Sequence, residues 1–419
     1  MPRRHSLAGI PSVLFIASMA TLVQSFVAIK LILLTLFLIA AVVEGAFRRT
    51  IRVYPRLICF YLTIGIAGIV WAFVGLLNPG SYFEGVTDAL RLYTIWSAAY
   101  VLIYTLLRSQ LSLQHIHRAF VVAGILISLI NVAGVLDQVG ELNIFSDSVR
   151  EELNMKIGIL DGYIQITSKN IGPLFFVVPY LISLQVRTDF IESKSLWTKL
   201  SLVLSLITTV ISGRRALFLV VALTPCLILV ISALIGNFGL IKAGVRRIFL
   251  GYTILLAVGI GIISVQPKFA PDSLYVQYFE EAFSTTDERT IQKPYLIEGF
   301  MRSPIIGLGF GAAVGYQRNA ERPWIYELTY YQLLLNAGLL GAATMGALLL
   351  VYAAIIMRIF RLYKPGSAIP FGLAVGVVGL LLGAISNPYL GSFDLLFFIG
   401  LLPYLSTFRR GFAERESGR

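Results

Sequence analysis

The residues able to do chemistry in this 419-residue chain are few, and they interrupt long apolar stretches. Arg214 and Arg215 stand together in Ile-Ser-Gly-Arg-Arg-Ala-Leu-Phe-Leu, between two apolar runs. Placing one arginine in a bilayer costs about 2.5–3.5 kcal/mol on insertion scales, so an adjacent pair at a tight turn invites an anionic partner. The planar guanidinium suits phosphate or carboxylate, which it binds through two parallel hydrogen bonds. Snorkelling to lipid headgroups, or pairing with an internal Asp or Glu, would serve the same side chains. Glu327 lies in Trp-Ile-Tyr-Glu-Leu-Thr-Tyr-Tyr-Gln, where polar chain runs into an apolar helix. A partly desolvated carboxylate there suits a general base, and equally suits a helix N-terminus, whose dipole favours negative charge. Arg289, Lys293, Glu298, Arg302, Arg318, Glu321 and Arg322 precede it and read mostly as a solvated face or loop ion pairs. Gly307, Gly309 and Gly311 alternate in Gly-Leu-Gly-Phe-Gly, which brings backbone amides close to a ligand or forms a kink. No Lys-Ser/Thr follows them, so this is not a nucleotide P-loop. His5, His115 and His117 read as solvated loop residues, and Cys59 and Cys226 as small hydrophobes within apolar runs. Nothing in these spacings resembles a metal site.

The elements that must hold these groups are apolar helices. The chain is 57% hydrophobic and 13% charged, against about 45–50% and about 25% in a soluble domain. That composition excludes a soluble globular enzyme and a disordered chain, and the length of the apolar runs argues against an outer-membrane barrel. Windows of about 20 apolar residues predict spans near 7–24, 28–45, 57–77, 91–107, 119–136, 170–186, 197–212, 215–235, 249–265, 326–357, 369–386 and 390–407. The first is read as a transmembrane helix in preference to a cleaved signal segment. The expectation is an all-α polytopic membrane protein of about 12 transmembrane helices, a single domain over 1–419. A large external loop at 266–325 is inserted between the spans at 249–265 and 326–357, and a second outward segment covers about 137–169.

Charge sets the orientation. With both termini cytoplasmic, the inward segments 3–4, 48–56, 108–118, 187–199, 242–247, 358–364 and 409–419 hold 21 of the 34 basic residues. Lys and Arg are biased to the cytoplasmic side, and every inward segment obeys that rule. Most of the net charge of +12 is therefore topology and does not mark a nucleic-acid surface. Arg214, Arg215 and Arg289 are the exceptions, cations on an otherwise acidic outward face.

The ordered set of motifs resembles the bacterial O-antigen ligase and polymerase superfamily. In that family a loop arginine precedes Pro-x-x-Gly-x-Gly-x-Gly, then a His or Glu eleven residues before Gly-Leu-Leu-Gly. Here these positions read Arg289, then Pro304-Ile-Ile-Gly307-Leu-Gly309-Phe-Gly311, then Glu327, then Gly338-Leu-Leu-Gly341. Glu327 stands where ligase-type members carry His, which places the chain on the polymerase side. The Trp often found soon after the loop arginine is missing.

The resemblance implies a metal-independent, cofactor-free, inverting glycosyltransferase of the bacterial inner membrane, its active site facing the periplasm or cell exterior. Its substrate would be an undecaprenyl-diphosphate-linked glycan, polymerised into O-antigen, capsule or exopolysaccharide. Arg214, Arg215 and Arg289 would meet the diphosphate, and Glu327 would deprotonate or orient the acceptor hydroxyl. Gly307, Gly309 and Gly311 would supply loop contacts, and a chain-length regulator is a candidate partner besides membrane lipids. A ligase acting on lipid A core and a lipid-linked-sugar flippase are the alternatives. A flippase is expected to show inverted halves and midplane charges, of which the chain shows little. Tyr275, Tyr278, Phe279, Phe283, Tyr295, Phe300, Tyr316, Trp324, Tyr326, Tyr330 and Tyr331 suit a glycan groove or an interfacial aromatic belt.

Overall fold

The computed structural model describes residues 9–48, 55–107, 113–139, 142–160, 163–186, 195–235, 288–318, 320–362, 368–385 and 387–406. Over these residues the first helices are α1 (Gly9–Thr21), α2 (Val27–Arg48), α3 (Pro55–Leu77), α4 (Phe83–Leu90), α5 (Trp96–Leu107), α6 (Leu113–Val139) and α7 (Asp147–Leu153). Beyond the hairpin β1 (Lys156–Leu160) and β2 (Tyr163–Thr167) come α8 (Leu174–Val186), α9 (Leu196–Ile211) and α10 (Arg215–Leu234). The chain ends in α11 (Glu288–Arg302), α12 (Thr329–Leu362), α13 (Ala368–Gly383) and α14 (Phe393–Leu405). The all-α expectation thus carries one exception, an antiparallel pair running from Lys156↔Thr167 to Leu160↔Tyr163 within the 137–169 segment.

Among the described residues, five helices are long and apolar enough to cross a membrane: Pro55–Leu77, Leu113–Asp137, Lys169–Val186, Arg215–Leu234 and Thr329–Arg361. Shorter apolar helices include Ile10–Thr21, Val27–Val43, Leu196–Ile211, Ala368–Gly383 and Phe393–Leu405. Leu31, Ile32, Ile39, Phe73, Leu77 and Leu350 are exposed on the outside of the bundle. Apolar outer faces of this extent suit a hydrocarbon solvent. The predicted span at 249–265 lies outside the described residues.

Two predicted spans are corrected. The segment at 91–107 starts earlier, as α4, and passes through a five-residue π-helical stretch, Arg91–Ile95, before α5. The segment at 326–357 is not one helix, because Gly338 adopts φ 62, ψ −163 and breaks α12 in two. The broken ends are not left bare. The amides of Leu308 and Gly309 donate to the carbonyls of Leu335 and Asn336 at 2.8 Å each. The amides of Leu339 and Leu340 donate in turn to Pro304 and Ile305, at 2.8 and 2.9 Å. A glycine-rich strap therefore supplies the partners that the break removes from the helix, as a low-dielectric setting demands.

Packing is close where side chains are small. Gly372, Gly376, Gly379 and Gly383 lie along α13 against Phe175, Phe176, Pro179 and Tyr180 of α8, so the two backbones approach. In α14, Pro403 has no amide to give Ile399, whose carbonyl instead accepts the Tyr352 hydroxyl at 2.7 Å. Tyr100 and Tyr104 likewise donate to the carbonyls of Phe393 and Phe397. His117 is a correction: it is buried in α6, its ring nitrogens within 3.1 Å of the Tyr180 hydroxyl and 3.2 Å of the Thr198 hydroxyl. Tyr180 of α8 and Thr198 of α9 cover that face of the helix.

At the other end, Lys30 and Asp394 form a buried ion pair at 2.8 Å. The second Asp394 oxygen accepts the Gln24 amide at 2.8 Å. Together they pin the α1–α2 turn to the start of α14, fully satisfying two charges that would be costly alone.

Candidate functional site

A cavity of about 1520 Å³ opens among the α1–α2 turn, the segment following β2, the α10 N-terminus, the 310–327 loop, α12 and the α13–α14 loop. Arg214, Arg215, Arg289 and Glu327, chosen from the sequence, all line it. Lys169, Arg318 and Arg322 line it as well. With Arg91 and Asp88, seven cations and two carboxylates thus converge from segments distant in the chain.

Glu327 sits between two guanidiniums. Arg289 Nε donates to Oε2 at 2.9 Å, and Arg318 Nη2 reaches Oε1 at 2.6 Å, with the carboxylate side chain only 16% exposed. The Glu327 amide donates to the buried Gln292 Oε1 at 3.1 Å, which ties the carboxylate to α11. A carboxylate offers about four lone-pair sites, so two such bonds leave acceptor capacity for a ligand hydroxyl.

Arg214 and Arg215 occupy the start of α10, with Arg214 as the capping residue in extended backbone. The Arg214 side chain makes no capping bond there, and the first turn carries no acidic residue. The start of a helix carries a partial positive charge from its dipole, which adds to the two arginines in favouring an anion. Arg214 is aimed by its partners: Nη1 donates to the Tyr389 hydroxyl at 2.7 Å and Nη2 to the Ser168 carbonyl at 3.4 Å. Behind Ser168 lies a buried polar set in which its hydroxyl donates to Asn131 Oδ1 at 2.9 Å and Asn131 Nδ2 donates to Asn170 Oδ1 at 3.0 Å. Burial raises the Tyr389 hydroxyl above the ordinary phenol range, while the charges of Arg214 and Arg289 act in the opposite sense. Tyr389 therefore keeps its proton and can donate it in a hydrogen bond.

The three glycines divide. Gly311 lines the cavity, whereas Gly307 and Gly309 are packed on backbone. A Cβ on Gly307 would meet Asn336 and Ala337 at 2.5 Å, and one on Gly309 would meet the Gly75 amide nitrogen at 2.0 Å. All three have φ near +80°, the left-handed region that side chains rarely adopt. Their spacing is a close-packing device that seats the strap against α3 and the α12 break.

Among the loop aromatics, Trp324 and Tyr330 line the cavity, while Tyr295 and Tyr316 stack on each other at 6.1 Å. Tyr326 is fully buried and accepts the Val314 amide at 2.9 Å. Tyr275, Tyr278, Phe279 and Phe283 lie outside the described residues. The aromatic wall comes instead from Trp71, Tyr93, Trp96 and Phe310, with Tyr93 and Phe310 stacked at 5.3 Å. Lys169, Tyr389 and Asn336 escaped the sequence reading, since a lone Lys, Tyr or Asn carries no spacing signal. Arg318 and Arg322 were visible only as loop charges.

The cavity is amphipathic. Away from the cations it continues between Phe60, Ile64, Leu348, Leu349, Leu396 and Ile399. Such a space fits a molecule with an anionic head and an apolar tail. No protein-family model matches the chain, and no curated protein matches it in sequence.

Proposed function

We propose that the chain is an integral membrane glycosyltransferase of about twelve spans with both termini cytoplasmic, polymerising glycan repeat units carried on a lipid diphosphate. The observation that carries this reading is the union, in one cavity, of a cationic rim, a doubly paired carboxylate and an apolar slot. In the reaction an acceptor hydroxyl attacks the anomeric carbon with inversion, its proton passing to Glu327. The bond to the diphosphate breaks, and negative charge grows on the departing oxygen. Arg214, Arg215 and the α10 N-terminus lie where that charge is stabilised more in the transition state than before it. Tyr389 and Lys169 add donors on the same side. Arg289 and Arg318 hold the carboxylate in place, so Arg289 acts through Glu327 as well as on the substrate. The apolar slot takes the first isoprene units of the carrier, and the motif order and the Glu at position 327 support polymerisation over ligation.

The test is reconstitution of the purified chain with undecaprenyl-diphosphate-linked repeat units. A ladder of lengths is the expected product. Transfer of glycan only to added lipid A core would establish a ligase, and translocation without any new glycosidic bond would establish a transporter; either sinks the polymerase reading.

A further inference from the structure

We propose that Lys169 reads the second phosphate of the lipid head, so that the site takes a diphosphate-linked carrier in preference to a monophosphate-linked one; this rests on the glycosyltransferase reading above. The cations of the cavity differ in what holds them. Arg289 and Arg318 both pair with Glu327, and Arg91 lies 3.7 Å from Asp88. Arg214 and Lys169 are held by neutral oxygens. Arg214 bonds the Tyr389 hydroxyl and the Ser168 carbonyl, and the Lys169 ammonium donates to the carbonyls of Glu152 at 3.1 Å and Gln24 at 3.5 Å. Among the described residues neither of these two cations has an ion pair, and the Glu152 carboxylate accepts the Phe26 amide at 2.7 Å instead. One peptide unit joins the two, because the Ser168 carbonyl that Arg214 grips is bonded to the Lys169 nitrogen.

The ammonium is set in place by segments distant in the chain. Gln24 and Phe26 stand in the left-handed region, at φ 52 and 47, a strained turn that persists only where its surroundings over-determine it. Here Asp394 accepts the Gln24 amide, Glu152 accepts the Phe26 amide, and the Ser25 hydroxyl donates to the Glu152 carbonyl at 3.0 Å. The Gln24 carbonyl is thereby held against Lys169, and both residues line the cavity. An ammonium has three donors, and two carbonyls leave it one, with its charge unneutralised. The roles then divide by shape. A guanidinium forks onto two oxygens of one phosphate, whereas an ammonium binds phosphate as a point charge. A monophosphate is covered by the arginines at the α10 start. A second phosphate, one bridging oxygen away, brings the further negative charge that the neighbouring ammonium meets.

The experiment compares undecaprenyl diphosphate, undecaprenyl monophosphate and inorganic diphosphate as probes on purified full-length protein. Wild type is expected to hold the lipid diphosphate about tenfold or more tighter than the lipid monophosphate. Lys169→Met keeps the apolar stem and removes the charge, and Lys169→Gln retains a donor for the two carbonyls should methionine loosen the turn. Either variant should lose that preference through weaker diphosphate binding, with monophosphate affinity within about twofold of wild type. Lys169→Arg, which restores a cation, should restore most of the preference. A retained preference in the uncharged variants, or equal loss for both lipids, overturns the contact. Inorganic diphosphate should compete at least about tenfold more weakly than the lipid; equal competition would assign the site to a free diphosphate and overturn the carrier. If wild type elongates lipid-linked repeat units while Lys169→Met keeps the preference, only this contact falls. If wild type neither elongates them nor prefers the lipid diphosphate, the glycosyltransferase reading falls with it.

Discussion

Both oxygens of Glu327 carry an arginine, and that arrangement decides how the carboxylate can act. Two guanidiniums compensate its removal from water and fix its orientation, leaving lone pairs for an incoming hydroxyl. Glu327→Gln keeps the shape but turns an amide NH₂ toward a guanidinium, donor against donor, and removes the base. The expected result is a fall in kcat of about 100-fold or more, measured on purified enzyme with lipid-linked repeat units. Unchanged polymer would exclude the base role. Arg215→Ala removes a cation from the α10 start, where the leaving group gathers charge. Loss of one such donor costs about 10²–10³ in rate, so long polysaccharide should disappear from cells while the protein still inserts and accumulates. Wild-type chain length in that variant would sink the assignment. Glu327 stood out in the sequence as a lone carboxylate at the mouth of an apolar helix. Its partners did not, because Arg318 looks like any other loop charge until the loop folds back.

At the scale of elements, the strap at 304–311 and the broken helix α12 form one unit. Gly338 opens the helix, and the strap bonds its exposed amides and carbonyls through alternating glycines that lie directly on backbone. Gly309→Ala forces a Cβ to within 2.0 Å of the Gly75 nitrogen at φ +83. Left-handed strain alone costs about 1–3 kcal/mol, before the clash is counted. A lowered thermal midpoint and loss of polymer should follow. Gly346→Ala is the matched control, since nothing lies within 4 Å of its added methyl group. That change should leave the midpoint unchanged or raise it slightly, given alanine's better helix propensity of about 1 kcal/mol. Equal behaviour of the two variants would remove the strap from the account. The motif was legible as glycines at odd positions, but whether they cradle a ligand or a helix was not, because both uses require the same absent side chain.

At the scale of the whole molecule, the cavity gathers its cations from the described residues, and the segments proposed as cytoplasmic hold 21 of the 34 basic residues. The proposed orientation puts the cavity end outside. In a Cys59→Ser, Cys226→Ser background, Gln317→Cys should react with a membrane-impermeant maleimide applied from the periplasmic side. Arg361→Cys should react only after the inner membrane is disrupted. Both positions are solvent-exposed in the fold, so burial does not limit labelling. The reverse pattern would overturn the orientation and, with it, the access of an external acceptor to Glu327.

Apolar run length and the distribution of Lys and Arg are properties of short stretches, and from them alone the sequence determined a helical, membrane-suited chain and a proposed direction. It also singled out Arg214, Arg215 and Glu327, because charge beside apolar chain is conspicuous without any knowledge of the fold, whereas Arg289 was marked only by the order of the motifs. Tertiary structure decided what those residues meet. Arg214 is aimed by Tyr389, 175 residues away, and Gly309 rests on Gly75. The burial of His117 and the Lys30–Asp394 pair depend equally on distant partners. Hydrogen bonds and close contacts of that kind are satisfied between segments, and no periodicity within a segment records them.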